Sequence, residues 1–290
     1  MPGSSVERSL ASFLNGFILH NMDVSIIILN YKTKELIKQQ LKHFFSFTST
    51  LTFEVVVVDN HSEDGIAAFL RETYPGVRCL EAPDNRGYAA GNNIGLRASS
   101  GTYSLIVNPD IVLNAELVEG LYRFMETNPK VGIAGPKLVN ADGSLQPSCL
   151  RFPDVWLPLY RRTFFSHTPW GRGWLARYFM EEFDHTQARD VDWLFGACLM
   201  VRTAALAQVG LLDERFFLYL EDTDWCRRFW EKGHEVWYVP EVSTVHLLSR
   251  SSEGAPLTVF TNRTARIHLR SFFKYLVKFW GKPNPHGSES

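Results

Sequence analysis

Cysteine is scarce in this chain and unpatterned. Cys79, Cys149, Cys198 and Cys226 are its four, and no two form a CxxC pair. Neither a zinc knuckle nor a disulfide framework follows, so a reducing cytosol is the expected setting. Charge of one sign is missing as well. Thirty Lys and Arg against thirty-one Asp and Glu leave a formal charge of -1, and no basic field points to nucleic acid. No apolar run is long enough to cross a bilayer, so any membrane contact is expected to be peripheral, at the inner face of the plasma membrane. The stretch from Leu10 to Leu19 is broken by Ser12, Asn15 and Gly16 and lacks the small-residue cleavage site of a signal peptide. There is no tandem repeat, no low-complexity linker and no Ser-His-Asp or Cys-His signature of a covalent nucleophile.

What is present is a 290-residue chain, 45% hydrophobic and 21% charged, long enough for one large α/β domain or two small ones. Aromatic residues are abundant, with 21 Phe, 10 Tyr and 8 Trp, gathered after residue 150. They suit a core, sugar stacking or a water–lipid boundary.

Two near-continuous apolar runs, Val24 to Leu29 and Phe53 to Val58, read as strands buried on both faces of a parallel sheet. Between them Leu36, Ile37, Leu41, Phe44 and Phe45 recur at helical spacing, with Thr33 placed to cap the helix. The βαβ rhythm continues through helices expected over 63–74, 89–99 and 115–126, and strands over 77–80 and 103–107. Polar residues stand just after the strands: Asn30, Asp59, Asn108 and Asp110. In an open α/β sheet, ligands bind beyond the carboxyl ends of the strands, so these residues are expected to converge on one crevice. The second half differs. Asn140-Ala141-Asp142-Gly143 is a hairpin turn, and 147–182 is rich in Pro, Trp, Arg and Phe without a clear period, an expected mobile or acceptor-facing insertion. A helix is expected over 221–232 and a short strand over 236–239.

Each motif has a bland and a functional reading. Asn108-Pro109-Asp110 ends a strand, because Pro109 fixes φ and removes a donor. Asp110 is then either an Asx turn or a hard oxygen ligand for Mg²⁺ or Mn²⁺. Asp59-Asn60-His61-Ser62-Glu63-Asp64-Gly65 contains helix-capping residues, yet a carboxylate there also suits the imide N–H of uracil or thymine. In 84–95 the glycines Gly87, Gly91 and Gly95 recur every four residues, which favours close helix–sheet packing; Asn85-Arg86-Gly87 also suits a nucleotide. Glu221-Asp222-Thr223-Asp224 places carboxylates at a helix start, stabilised by the helix dipole. Crowding also raises their pKa values, which suits a general base. His246 alone is ordinarily structural, and functionally it would complete a metal or diphosphate site.

The order of these motifs carries more than any one of them. Ile26 to Tyr31, Val57 to Asp64, Asn85-Arg86-Gly87-Tyr88, Asn108-Pro109-Asp110 and Glu221 to Trp225 together resemble the inverting family 2 glycosyltransferases of GT-A fold. Within them, the chain resembles the rhamnosyltransferase-like branch, in which Asn-Pro-Asp replaces Asp-x-Asp. The resemblance covers roughly residues 22 to 250 and implies a mostly parallel, Rossmann-like sheet flanked by helices. It implies roles by position. Asn30, Tyr31, Asp59, Asn85 and Asn108 would serve the donor nucleotide, and Asp110 with His246 a Mg²⁺ or Mn²⁺ ion. Asp222 would be the base, with Glu221 or Asp224 in support. Trp193, Gly196, Ala197 and Trp225 would face the acceptor, although core packing is the bland reading of both tryptophans.

The implied reaction moves a sugar, with dTDP-rhamnose the first expectation and UDP-linked hexoses the next, to a hydroxyl of a saccharide acceptor. The acceptor is expected to be a growing cell-surface polysaccharide on a lipid carrier. Residues 1–21 would be an N-terminal extension, 22–140 the nucleotide half, 141–250 the acceptor half and 251–290 a basic–aromatic tail. The tail's basic residues Arg263, Arg266, Arg270, Lys274 and Lys278 recur at helical spacing, which fits an interfacial helix or a helix covering the domain. Two rivals remain. A pyrophosphorylase would need a glycine-rich loop after the first strand, where Asn30-Tyr31-Lys32-Thr33-Lys34 has none. A non-catalytic carbohydrate-binding protein would have lost Asp222 or Asp110, and both are present.

Overall fold

A computed structural model describes residues 22–247 and 263–287; the expected extension over 1–21 lies outside the described residues. The sheet begins with β1 (Met22–Asn30), β2 (Phe53–Asp59), β3 (Arg78–Glu81) and β4 (Gly101–Val107), separated by α1 (Lys34–Phe44), α2 (Ile66–Thr73) and α3 (Tyr88–Ala98). These four strands are parallel, with β1 between β2 and β4. Ile26, Ile27, Ile28 and Val55 to Val58 are buried on both faces, as the unbroken apolar runs require. Each such side chain contributes about 1.5–3 kcal/mol by leaving water.

Then come α4 (Ala115–Thr127), β5 (Val131–Val139), β6 (Leu145–Gln146) and β7 (Cys149–Leu150). The Asn140 to Ser144 turn closes the β5–β6 hairpin, with Gly143 at φ 83°. The remaining elements are α5 (Leu157–Arg162), a 3-10 turn (Phe164–His167), α6 (Pro169–Tyr178), β8 (Arg189–Asp190), β9 (Trp193–Leu194), β10 (Cys198–Arg202), α7 (Leu206–Val209), α8 (Glu221–Glu231), β11 (Glu235–Val245) and α9 (Arg263–Lys278). The sheet order is β3-β2-β1-β4-β10-β5-β11-β8, with β10 antiparallel to both its neighbours. It is thus mostly parallel, with β10 running antiparallel between β4 and β5, and β6 and β8 antiparallel to β5 and β11.

Three expectations are corrected. Thr33 does not cap α1 through its side chain; its N–H and hydroxyl both donate to Asn30 Oδ1 instead. The 147–182 stretch is not irregular. It folds into α5, the 3-10 turn and α6, held by Trp174 stacked on Tyr178 and tilted against Tyr160. Its helical period is hidden because Pro158 and Pro169 sit in first turns and the packing faces are aromatic. The strand expected at 236–239 runs to Val245 across a register shift between Val239 and Ser243. By contrast, the glycine spacing of α3 is a packing device. A Cβ at Gly91 would lie 2.5 Å from Leu29, and one at Gly95 2.4 Å from Ile27.

Candidate active site

The carboxyl ends of β1 and β2 form the first station. Asn30 is fully buried, and its side-chain nitrogen lies 3.1 Å from Asp59 Oδ1, Ser62 Oγ and the Asp64 carboxylate. Asn30 therefore fixes the Asp59 loop from behind rather than presenting itself to a nucleotide, which corrects its expected role. Asp59 Oδ1 also accepts from the Ser62 N–H at 3.1 Å, and among the described residues no donor reaches its Oδ2. Tyr31 is 47% exposed beside this station, with the Lys32 ammonium 5.7 Å from its ring centroid. Asn85 Oδ1 accepts from the Gly87 N–H at 2.9 Å and from Asn60 at 3.0 Å. Gly87 sits at φ 96°, and a Cβ there would lie 2.2 Å from the Phe217 carbonyl, so only glycine permits this close approach.

A cavity of about 420 Å³ forms the second station, and Asn108, Asp110, Trp193, Gly196, Ala197, Glu221, Asp222 and His246 all line it. Asp110 and His246 meet because the backbones run side by side: Leu247 N–H donates to the Asp110 carbonyl at 2.8 Å, and Ile111 bridges His246. His246 Nε2 lies 3.1 Å from Asp110 Oδ2, and its Nδ1 lies 2.8 Å from Gln146 Oε1. Gln146 Oε1 can only accept, so Nδ1–H donates to it and Nε2 is the ring nitrogen turned to the Asp110 carboxylate. A carboxylate oxygen and a ring nitrogen so placed share a proton or hold a cation in its place.

Among the described residues no group of three or more His, Cys, Asp or Glu could hold a metal. Two protein donors still fit Mg²⁺ or Mn²⁺, which fill their remaining positions with water and substrate phosphate oxygens. Asn108 is engaged elsewhere: Tyr88 Oη donates to the Gly196 carbonyl at 2.6 Å with Asn108 Oδ1 3.1 Å away. Burial, then Glu221, Asp222 and Asp110, push the Tyr88 hydroxyl well above the ordinary phenol range, so it remains a donor.

Helix α8 presents the carboxylates. Tyr219 and Leu220 both adopt φ 68°, a strained turn that aims the start of α8 into the cavity. The backbone N–H of Gly196 donates to Asp222 Oδ2 at 2.9 Å, and that of Thr223 to Oδ1 at 2.7 Å. Both oxygens are thereby oriented, and burial still raises the Asp222 pKa despite these donors. Glu221 is buried and raised well above the carboxylate range, by desolvation first and then by Asp222 and Asp224. Of the two adjacent carboxyls, Glu221 is the more strongly raised, and Asp222 is the one held by backbone N–H donors.

Two expectations fail here. Asp224 is fully buried and paired with Arg228 at 2.8 Å and with Lys278. It fastens α8 and α9 together and does not line the cavity. Trp225 is fully buried, with its Nε1 bonded to the Gly210 carbonyl, so it is core and not an acceptor platform; its helix turns that face inward. Trp193 does line the cavity, with Nε1 donating to the Arg151 carbonyl at 2.8 Å. Gln146, Tyr88 and Phe195 escaped the sequence reading. Gln146 stands two residues from a hairpin turn and carries no local signal, whereas Tyr88 lay inside a motif already singled out.

This arrangement, a nucleotide station and an acid-lined cavity along one edge of a mostly parallel sheet, defines a nucleotide-sugar transferase of GT-A fold. The chain belongs to Glycosyl transferase family 2, whose pattern matches residues 25–210. It is 30% identical over 233 residues to the N-acetylglucosaminyl-diphospho-decaprenol L-rhamnosyltransferase of Mycobacterium tuberculosis, covering 74% of each chain. It is 26% identical over 206 residues to the dTDP-rhamnosyl transferase RfbF of Shigella flexneri, covering 68% of this chain and 61% of that one. Among solved structures it is similar to the mannosyltransferase PcManGT of Pyrobaculum calidifontis in complex with GDP-Man and Mn²⁺. The TM-score is 0.57 at 18% identity, over 97% of this chain and 73% of that one.

Proposed function

We propose that the protein is an inverting, metal-dependent transferase that moves rhamnose from dTDP-rhamnose to a hydroxyl of a saccharide acceptor in cell-surface polysaccharide synthesis. The observation that carries the reading is that Asp222, a carboxylate oriented by two backbone donors beside the more deeply enclosed Glu221, lines one cavity with the Asp110–His246 pair. Asp222 takes the proton of the acceptor hydroxyl as that oxygen forms its bond to the anomeric carbon. The bond from that carbon to the donor diphosphate breaks on the opposite face, so one displacement inverts the configuration. A divalent cation held by Asp110 and His246 would offset the negative charge gathering on the leaving group. Asp59 and Tyr31 hold the base, positioned by Asn30 and the Asn60–Asn85–Gly87 bonds.

Rhamnose is supported by the names of two relatives, and a lipid-linked acceptor by the name of the first. No described helix is long and apolar enough to cross a membrane. Peripheral membrane association is supported by α9 and the turn after it, where Phe273, Val277 and Trp280 are exposed along with Arg266, Arg270 and Lys274. The test is to supply dTDP-rhamnose, Mn²⁺ and an N-acetylglucosaminyl-diphosphoprenol, then read the one-bond C1–H1 coupling of the transferred rhamnose. Inversion at the rhamnose C1 is expected; retention would overturn the single displacement.

A further inference from the structure

From Val155 to Met180 the chain carries Arg161, Arg162, Arg172 and Arg177 and not one Asp or Glu. This stretch folds into α5, the 3-10 turn and α6, and it leaves large apolar side chains in water. Phe164 is 70% exposed and Trp170 72%, and Val155 and Trp156 are exposed too. The inward side of the insertion is already filled by Tyr160, Trp174 and Tyr178. Trp170 meets Tyr160 edge-on, with 5.3 Å between centroids, and Phe164 stacks on Phe165 at 4.2 Å. Each ring therefore rests on the protein by one side and turns the rest outward.

Helix α6 sorts its residues by face. Trp170, Gly173 and Arg177 recur at i, i+3 and i+7, which is one stripe, and all three are exposed. Gly171 and Tyr178, off that stripe, are buried. A Cβ at Gly173 would meet nothing within 4 Å, so the stripe stands clear of the rest of the protein. The outward face of a water-facing helix ordinarily mixes charges of both signs; this one pairs tryptophan with arginine alone. Exposed aromatic rings among arginines, without an acid, suit a water–lipid boundary, where the rings enter the headgroup layer and the guanidinium groups meet phosphates. A second copy fits poorly, because a two-fold contact would set the arginines against their own counterparts.

We infer that the insertion formed by α5 and α6 is a docking face for an anionic lipid bilayer, with Phe164 and Trp170 entering the headgroup layer and Arg172 and Arg177 meeting lipid phosphates. This face is separate from that of Phe273 and Val277 on α9, and it does not depend on that helix meeting lipid. Leu157, Arg161, Tyr178 and Phe179 of the same insertion wall the catalytic cavity. Docking therefore brings one wall of that cavity to the membrane surface.

The experiment is co-sedimentation of the full chain with phosphatidylcholine vesicles, with and without phosphatidylglycerol. Wild type sediments with the phosphatidylglycerol vesicles and stays in solution with phosphatidylcholine alone. Gly173→Glu puts an acid on the open stripe, at a helical position that glutamate favours over glycine, and weakens binding about fivefold. Gly76→Glu makes the same charge change at an exposed turn between α2 and β3, where a Cβ also meets nothing within 4 Å, and leaves binding unchanged. Phe164→Ser with Trp170→Ser weakens binding by about tenfold or more. Equal losses in the two glutamate variants would reduce the effect to net charge and overturn the assignment. Wild type that stays in solution with both vesicle types would overturn it as well. So would full binding by both insertion variants; if Phe273→Ser, Val277→Ser and Trp280→Ser together still weakened binding, lipid contact would belong to α9 alone. A lipid-free dimer in sedimentation velocity that Trp170→Ser splits would give the face to a second copy instead.

Discussion

At the scale of single residues, the site divides its labour between adjacent carboxyls of unlike surroundings. Glu221 is enclosed, which raises its pKa well above the carboxylate range, while Asp222 is held by two backbone N–H donors at the cavity wall. Asp222→Asn is expected to lower transfer by about 10²–10⁴-fold with dTDP binding retained, because the amide cannot accept the hydroxyl proton. Glu221→Gln, which copies the protonated form, is expected to stay within a few-fold of wild type. Equal losses in the two variants would mean that Asp222 is not the base. Since the Asp222 pKa is raised, activity falls as pH drops through a value above the ordinary aspartate range, and a pH–rate profile reads that limb directly. The carboxylate cluster was legible in the sequence because charge crowding at a helix start is a local pattern. The fate of Asp224 was not, since its partner Lys278 lies 54 positions away on another helix.

At the scale of elements, the βαβ half was readable because its strands are buried on both faces and its helices carry the 3.6-residue period. The acceptor half was not, because α5 and α6 are short, start with proline and pack through aromatic rings that mask the period. The C-terminal segment likewise shows its role only in three dimensions. Phe272, Tyr275 and Phe279 are buried, Lys278 pairs with Asp224 and Asp213, and Arg227 bonds the carbonyls of Lys282 and Pro283. Beyond it, His286 stacks on Trp230 and is clamped between Asp192 at 2.7 Å and Asp190 at 3.0 Å. Burial opposes its charge, but the bonds to Asp192 and Asp190 outweigh burial and raise its pKa above 6.5. The sign follows. The clamp stabilises the fold fully below the unfolded value near 6.5 and is lost as pH rises through the higher folded value. His286→Ala is expected to lower the urea midpoint at pH 6 and to narrow its distance from wild type at pH 8.5. A pH-independent gap would assign the contribution to stacking alone.

At the scale of the whole molecule, the inner face of α9 lines the catalytic cavity through His268 and Phe272, while Phe273 and Val277 are exposed on its outer face. The tail expectation left a choice between an interfacial and a covering helix. Phe272 and Tyr275 are buried, so α9 covers the domain, and Phe273, Val277 and Trp280 are exposed alongside exposed basic residues. Deleting α9 would therefore damage the fold through Lys278 and Tyr275 and would say little about lipid. The triple change Phe273→Ser, Val277→Ser and Trp280→Ser removes only outward apolar surface. It is expected to reduce co-sedimentation with vesicles containing phosphatidylglycerol by about tenfold while leaving dTDP binding intact. Unchanged partitioning would assign α9 to covering alone.

The central claim is that the Asp110–His246 pair and the Asp59 station together make a metal-dependent nucleotide-diphosphate site. Calorimetric titration of wild type and Asp110→Ala with dTDP and with UDP, each with and without Mn²⁺, tests it most directly. The account predicts that wild type binds dTDP more tightly than UDP, that Mn²⁺ tightens both, and that Asp110→Ala loses the metal enhancement. Metal-independent binding, or an enhancement that survives in Asp110→Ala, would contradict it.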